Sequence, residues 1–236
     1  MNRKVTLLGG VGPNSDLSAA LMKTLSENYT VVGLTRSREA IRAIESRVEE
    51  RENVKLLQAD LLDAAAVAAL VDEIEATTGE IAVYIHLAGM ITLKSFLETT
   101  DMEIANNINV NFFSATAISR AVLEKMSQRN QGTLIFSGAT ASVRGGARSA
   151  AFSAGKFALR GFAQSLAREF GPQGIHVAHV VIDGMIEGLR AQDQFHAGKE
   201  QCIEAAAISR LYLDLIEQPK SMWTHELDIR PWNEKF

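Results

Sequence analysis

The chain has 236 residues, of which 47% are apolar and 22% charged, with four prolines and a formal net charge of −4. That is the profile of an ordinary folded globular chain rather than a disordered or fibrous one. An acidic balance without any basic run argues against nucleic acid or an anionic membrane as partner, and the single Cys202 excludes an internal disulfide and a cysteine-rich metal site.

The apolar run in "MNRKVTLLGG" is too short for a secretion signal, and no stretch approaches the roughly 18 uninterrupted apolar residues of a membrane span. A cytoplasmic enzyme or binding protein is the expectation. In chain order, apolar β-branched runs predict strands at 4–8, 30–35, 54–58, 81–87, 133–137, 175–182 and 225–230. Helix-period stretches separate them at 15–27, 37–50, 63–77, 100–129, 150–171 and 199–217, with Gly79, Gly132, Gly171 and Gly174 where helices should stop. Continuous apolar strands alternating with helices imply a parallel sheet covered on both faces. No repeat or linker interrupts the pattern, so residues 1–236 are read as one α/β domain, a doubly wound sheet of about seven strands.

Ligands in such sheets bind at the C-terminal strand ends, where the strand order reverses. After the first strand, "GGVGPNSDL" is either a tight turn capped by Asn14 or Ser15 or an anion site at a helix N-terminus, around Gly9, Gly10 and Ser15. After the second, Thr35-Arg36-Ser37 places a basic residue where a carboxylate would take an adenosine ribose. Arg36 therefore points to NADP rather than NAD, with a solvated surface arginine as the other reading. Asp60-Leu61 and Ala88-Gly89 are small or polar where adenine and ribose need room.

The order and spacing of the glycine turn, "ADLLD", "HLAGM", "NVNFFSA", "FSGATAS", "FSAGK" and "GPQGIHVAHV" resemble the short-chain dehydrogenase/reductase family over essentially the whole chain. The resemblance implies a Rossmann-like fold, a nicotinamide cofactor with a small-molecule substrate, and a homodimer or homotetramer packed through helices near 100–129 and 150–171. It also implies a Tyr-x-x-x-Lys pair, a serine after strand five and an asparagine in the long fourth crossover. Lys156 and Asn111 match. Phe152 stands at the tyrosine position, and Ser149 at the tyrosine place of the enoyl-reductase branch. Ala139 falls at the serine place, leaving Ser137 and Thr140 as neighbouring hydroxyls.

Further departures are Ser15 and Leu17 at the later glycines, where Leu17 would narrow the approach of a pyrophosphate, and Ile182-Asp183-Gly184 at the family's Pro-Gly. Hydride delivery to a carbonyl leaves an alkoxide, and a hydroxyl beside an ammonium normally protonates it; phenylalanine cannot. The expectation is an NADP-dependent oxidoreductase with weak or absent carbonyl reduction. The alternative is a non-catalytic nucleotide-binding or assembly protein, and fold alone leaves room for a dehydration or isomerisation. His86 could act as an acid, although such histidines usually bond nearby backbone. His176 and His179 fall on opposite strand faces, and His196 and His225 show no metal-ligand spacing. Arg144 and Arg148 could receive an anionic substrate or be exposed loop arginines, and 182–198 is where a substrate lid would sit. Phe157, Phe162, Leu166 and Phe170 read as core or dimer packing, and the terminal "WTHELDIRPWNEKF" as a last strand and a tail against a neighbouring subunit.

Overall fold

Strands that are apolar on both faces need cover on both faces, and the chain provides it. The computed structural model describes residues 3–13, 15–48, 51–188 and 199–234. Its strands are β1 (Val5–Gly9), β2 (Thr30–Thr35), β3 (Val54–Gln58), β4 (Ile81–His86), β5 (Gly132–Ser137), β6 (Ile175–Ile182), β7 (Met185–Ile186), β8 (Cys202–Ile203) and β9 (Glu226–Ile229). Seven of them form a sheet in the order β3-β2-β1-β4-β5-β6-β9, every neighbour pair parallel. β1, β5 and β6 are buried along their whole length, whereas β3, at an edge, is not. The short β7 and β8 pair separately.

The helices are α1 (Asp16–Leu25), α2 (Arg38–Val48), α3 (Ala64–Thr77), α4 (Asp101–Ile108), α5 (Ser114–Arg129), α6 (Ala150–Phe170) and α7 (Ala205–Ile216). On one face, Val67, Val71, Ile118, Val122, Leu159 and Ala163 from α3, α5 and α6 bury the sheet. On the other, Leu17, Leu21, Met22, Ile44, Ile208 and Tyr212 from α1, α2 and α7 do so. This is the doubly wound Rossmann-like arrangement, with its strand order reversing between β1 and β4.

Several local expectations are corrected. The stretch expected as one helix over 100–129 starts with a capping box between Thr100 and Glu103, then widens into one turn of π-helix at Asn109–Phe113 before α5. Such turns are frequent at functional sites, and this one carries Asn111. α5 is stopped by Asn130 in the left-handed region (φ 51), not by Gly132, which opens β5. The last helix begins at Ala205 rather than 199, because Cys202 and Ile203 pair with β7 first. Asn14, His196 and positions 189–198 of the expected lid lie outside the described residues.

Candidate active site and nucleotide cleft

The crevice opens where β1 and β4 part. The Leu87 and Ala88 amides both donate to the Gly9 carbonyl, at 2.8 and 3.1 Å, while those of Gly10 and Val11 reach across to Leu34 O. Gly10 has φ +89, and a Cβ there would fall 2.4 Å from Ala88 Cβ. A Cβ at Gly9 would meet the Tyr84 hydroxyl at 2.8 Å. The two glycines thus serve the close approach of β1 and β4. Gly10, Gly12, Pro13, Thr35, Arg36, Ser37, Asp60, Leu61, Ala88 and Gly89 line a cleft of about 260 Å³.

Each polar residue of this half is set by its turn. Ser15 caps α1 by accepting from the Ser18 amide at 3.1 Å. Arg36 is exposed at the cleft wall, its carbonyl accepting from Gln58 Nε2 at 2.9 Å. Asp60 Oδ1 accepts the Leu62 amide at 3.0 Å, and Leu61 is buried beneath it. The structure corrects the expectation for Leu17: its side chain packs with Leu8, Val11 and Leu21 in the core and does not line the cleft. As the second residue of α1, that position lies on the helix face turned toward the core. Sequence reasoning passed over Asp16, whose carboxylate is paired with Arg47 of α2 and would overlap any Cβ at Gly188.

In the other half, Lys156 is 5% exposed and its Nζ donates to the Ser137 carbonyl at 3.0 Å. Burial brings its pKa down to about 8. A Cβ at Gly89 would lie 3.6 Å from Asn111 Oδ1 and 3.7 Å from Lys156 Nζ, so Gly89, Asn111 and Lys156 converge. The Asn111 amide is engaged by backbone, with both of its N–H groups used. Its Nδ2 donates to Met90 O at 2.8 Å and Asn107 O at 3.0 Å, and its Oδ1 accepts from Met90 N at 3.2 Å. Phe152, one turn before Lys156, is 9% exposed.

The candidate hydroxyls separate. Ser137 Oγ pairs with Tyr212 Oη at 2.9 Å on the α7 side of the sheet, so the strand's alternation turns it away from Lys156. Of the two hydroxyls near the serine place, Ser137 therefore does not face Lys156 with its side chain. Thr140, in the 3₁₀ turn Thr140–Ser142, instead donates to Asp183 Oδ1 at 2.5 Å. Ser149 and Ser153 pair with each other at 3.0 Å, both buried. Asp183 is the residue that sequence reasoning registered only as a missing proline. The available signal was a carboxylate ending an otherwise apolar strand.

The four described histidines are held by neighbouring groups of the fold. His86 is fully buried, its Nδ1 2.7 Å from Tyr84 Oη. Burial, then the charge of Lys156, pushes its pKa down to about 3, so near neutrality it is a neutral imidazole and not an acidic imidazolium. His176 stacks on Trp223 with ring centroids 5.0 Å apart, and His179 Nδ1 lies 3.2 Å from Glu226. Arg144 faces Asp183 at 3.4 Å, and Arg148 adopts φ 65. On α6, Leu166 is buried, Phe162 and Phe170 pack partly on the core, and Phe157 is 44% exposed. Among the described residues no cluster of three or more histidines, cysteines or carboxylates could hold a metal, and no helix is long and apolar enough to cross a membrane.

A family model described as short chain dehydrogenase matches residues 11–195. The 3-oxoacyl-[acyl-carrier-protein] reductase FabG of Escherichia coli is 29% identical over 177 residues, 75% of this chain and 71% of that protein. A crystal structure of a short-chain dehydrogenase from Rhodopseudomonas palustris is 30% identical, covers 98% of this chain and 100% of its own, and superposes with a TM-score of 0.81. A tyrosine-to-phenylalanine form of ElxO with NADPH bound superposes with a TM-score of 0.86 at 20% identity, over 96% of each chain.

Proposed function

The chain belongs to the short-chain dehydrogenase family, and on that premise we propose that it binds a nicotinamide nucleotide, NADPH in preference to NADH, with weak or absent carbonyl-reductase chemistry. The observation that carries this reading is the cleft itself. Its floor at Gly10–Pro13 presents backbone beside the N-terminus of α1, and Arg36 stands at its wall with no carboxylate in Thr35-Arg36-Ser37. Backbone amides at a helix N-terminus suit a pyrophosphate, and a guanidinium suits a 2′-phosphate. Asp16 would oppose an anion there, but its pairing with Arg47 offsets that charge. The residues present therefore fit the nucleotide: Gly9, Gly10 and Ser15 at the pyrophosphate, Arg36, Asp60 and Leu61 at the adenosine, Ala88, Gly89 and Lys156 toward the nicotinamide. The NADPH-bound ElxO supports the reading by likeness of fold.

When bound, the nucleotide supplies or accepts a hydride. The chain's own residues must handle the proton. A tyrosine at position 152 would do so with its pKa lowered by the Lys156 ammonium; Phe152 cannot, and losing a general acid costs about 10²–10⁴-fold in rate. Lys156, anchored on Ser137 O, remains placed to hold a ribose or a water. Asn111 braces the segment after β4 through Met90. A second reading, a non-catalytic nucleotide-binding or assembly protein, is favoured by these same contacts, since backbone already satisfies Asn111 and Ser137 faces away.

Titration of the purified chain with NADPH and NADH, by fluorescence or calorimetry, tests the proposal. NADPH is expected to bind, more tightly than NADH, with little turnover on a panel of carbonyl compounds. No binding of either nucleotide overturns the oxidoreductase reading, and brisk turnover overturns the non-catalytic one. Residues 1–236 act as one domain in this proposal, in a cytoplasmic setting. A homodimer or homotetramer would pack through α4, α5 and α6, where Met102, Phe113 and Phe157 are exposed; sedimentation measures that directly.

A further inference from the structure

A second cavity lies at the other end of the sheet, where β2 and β3 begin. It measures about 570 Å³, against about 260 Å³ for the cleft at the C-terminal strand ends. Small-molecule pockets run from about 300 to 1,000 Å³. Alternate positions of a strand share one face. On the face covered by α3, α5 and α6, Arg3 precedes Val5 and Leu7, Thr30 precedes Val32 and Leu34, and Lys55 precedes Leu57. α3 ends at Thr77, so the first row loses its cover and the apolar pattern gives way to polar side chains.

Local hydrogen bonds leave donors and acceptors over in this cavity. Arg3 Nη1 donates to Ser26 O at 2.9 Å, and Asn53 Nδ2 donates to Ser26 O and Tyr29 O, which covers the carbonyl that ends α1. Lys55 Nζ donates to Thr78 Oγ1 at 3.3 Å. A guanidinium has five N–H donors and an ammonium three, so most of those on Arg3 and Lys55 remain, as does the proton of the Thr78 hydroxyl. On the accepting side stand the Glu52 carboxylate and Asn53 Oδ1. Two cations thus face one carboxylate across a cavity whose whole lining is polar.

We propose that this cavity is a second ligand site, for a small phosphomonoester of a polyol. Arg3 and Lys55 take the phosphate, the Thr30 and Thr78 hydroxyls add neutral donors, and Glu52 and Asn53 Oδ1 accept from the polyol hydroxyls. Phosphate suits the cationic side because charge-assisted hydrogen bonds are about twice as strong as neutral ones. Hydroxyls suit the other side because a carboxylate or amide oxygen only accepts. β2 runs between the two cavities, with Thr30 in the lining of one and Thr35 in that of the other, about 17 Å apart at the usual rise of a strand. The site is therefore separate from the nucleotide cleft, and the proposal stands independently of the oxidoreductase reading.

Glycerol 3-phosphate titrated into the full ¹⁵N-labelled chain, and followed through its amide resonances, tests it. Saturable shifts are expected at Thr30, Asn53, Lys55 and Thr78, with an affinity about tenfold above that of inorganic phosphate and no saturation by glycerol. Arg3→Ala and Lys55→Ala should each weaken binding about tenfold, and Lys55→Arg should retain it. Glu52→Ala should narrow the gap between glycerol 3-phosphate and inorganic phosphate. Arg3, Glu52 and Lys55 are exposed, so these variants should keep the fold, and the amide spectrum of each shows whether they do. Shifts confined to Gly10, Gly12 and Arg36, no shift at all, saturation by glycerol, equal affinity for the two phosphates, or full affinity in both alanine variants overturns the proposal. The cleft amides report separately in the same spectra. Loss of this site leaves nucleotide binding standing, and absence of nucleotide binding leaves this site standing.

Discussion

At the ends of β1, β2 and β3 the chain leaves an open cleft, with Arg36 and Asp60 on its walls. At the ends of β4, β5 and β6 most polar groups point back into the fold: Asn111 to Met90 and Asn107, Ser137 to Tyr212, Thr140 to Asp183, Lys156 to a strand carbonyl. The first region departs from the family's glycine spacing yet keeps an open cleft at the strand ends. The second keeps two of the family's residues by name, but with their bonding absorbed by backbone and with no hydroxyl at position 152. Retaining a residue and retaining its chemistry are different things, because the same amide or ammonium can serve a ligand or brace a loop.

The largest effect that could break this contrast is Phe152→Tyr. If the second region lacks only its proton donor, the variant should gain about 10²–10⁴-fold in carbonyl reduction with NADPH. No gain, at unchanged nucleotide affinity, would mean that the altered bonding around Asn111, Ser137 and Thr140 matters as much as the missing hydroxyl.

A second test concerns the buried ammonium. Burial holds the pKa of Lys156 at about 8 in the folded chain, against an ordinary value of 10.5. Below pH 8 both folded and unfolded chains keep the proton, and the cost of burying the charge is fully present. Between about 8 and 10.5 the unfolded chain binds more protons, so the contribution of this residue to stability rises with pH, by an amount on the order of a few kcal/mol. Denaturant melts of wild type and Lys156→Met across that window should show the rise in the first and its absence in the second. Matching profiles would mean that Lys156 is better solvated than its burial implies.

The nucleotide region should fail differently. Gly10→Ala places a methyl 2.4 Å from Ala88 Cβ at φ +89, and should cost about 2–3 kcal/mol in a denaturant melt. Arg36→Ala should leave stability unchanged and weaken NADPH about tenfold while sparing NADH, by calorimetry. Equal weakening of both nucleotides would make Arg36 a general electrostatic contact rather than a 2′-phosphate reader.

Much of this molecule was legible in advance. The apolar runs of β1, β5 and β6 and the alternating helices announce a parallel sheet, and Phe152 announces the missing hydroxyl, because each depends on residue type at a fixed local period. Direction across the sheet was not legible. Leu17 read as an obstruction at the cleft but faces the core, and Ser137 read as a hydroxyl beside the family's serine place but meets Tyr212. Asp183 read as a lost proline, yet it gathers Thr140, Arg144 and Arg230 from segments 39 to 47 residues away.

The sequence by itself determined the fold class, the family, the place of the cleft at the β1–β4 switch and the absence of a tyrosine beside Lys156. Only the tertiary structure decided which way each retained polar group donates. Strand order and helix packing set that choice by bringing distant acceptors such as Met90 O, Ser137 O and Asp183 Oδ1 within hydrogen-bonding reach. A buried polar group takes whichever partner the fold places beside it, since leaving it unpaired costs more than any one ligand contact returns.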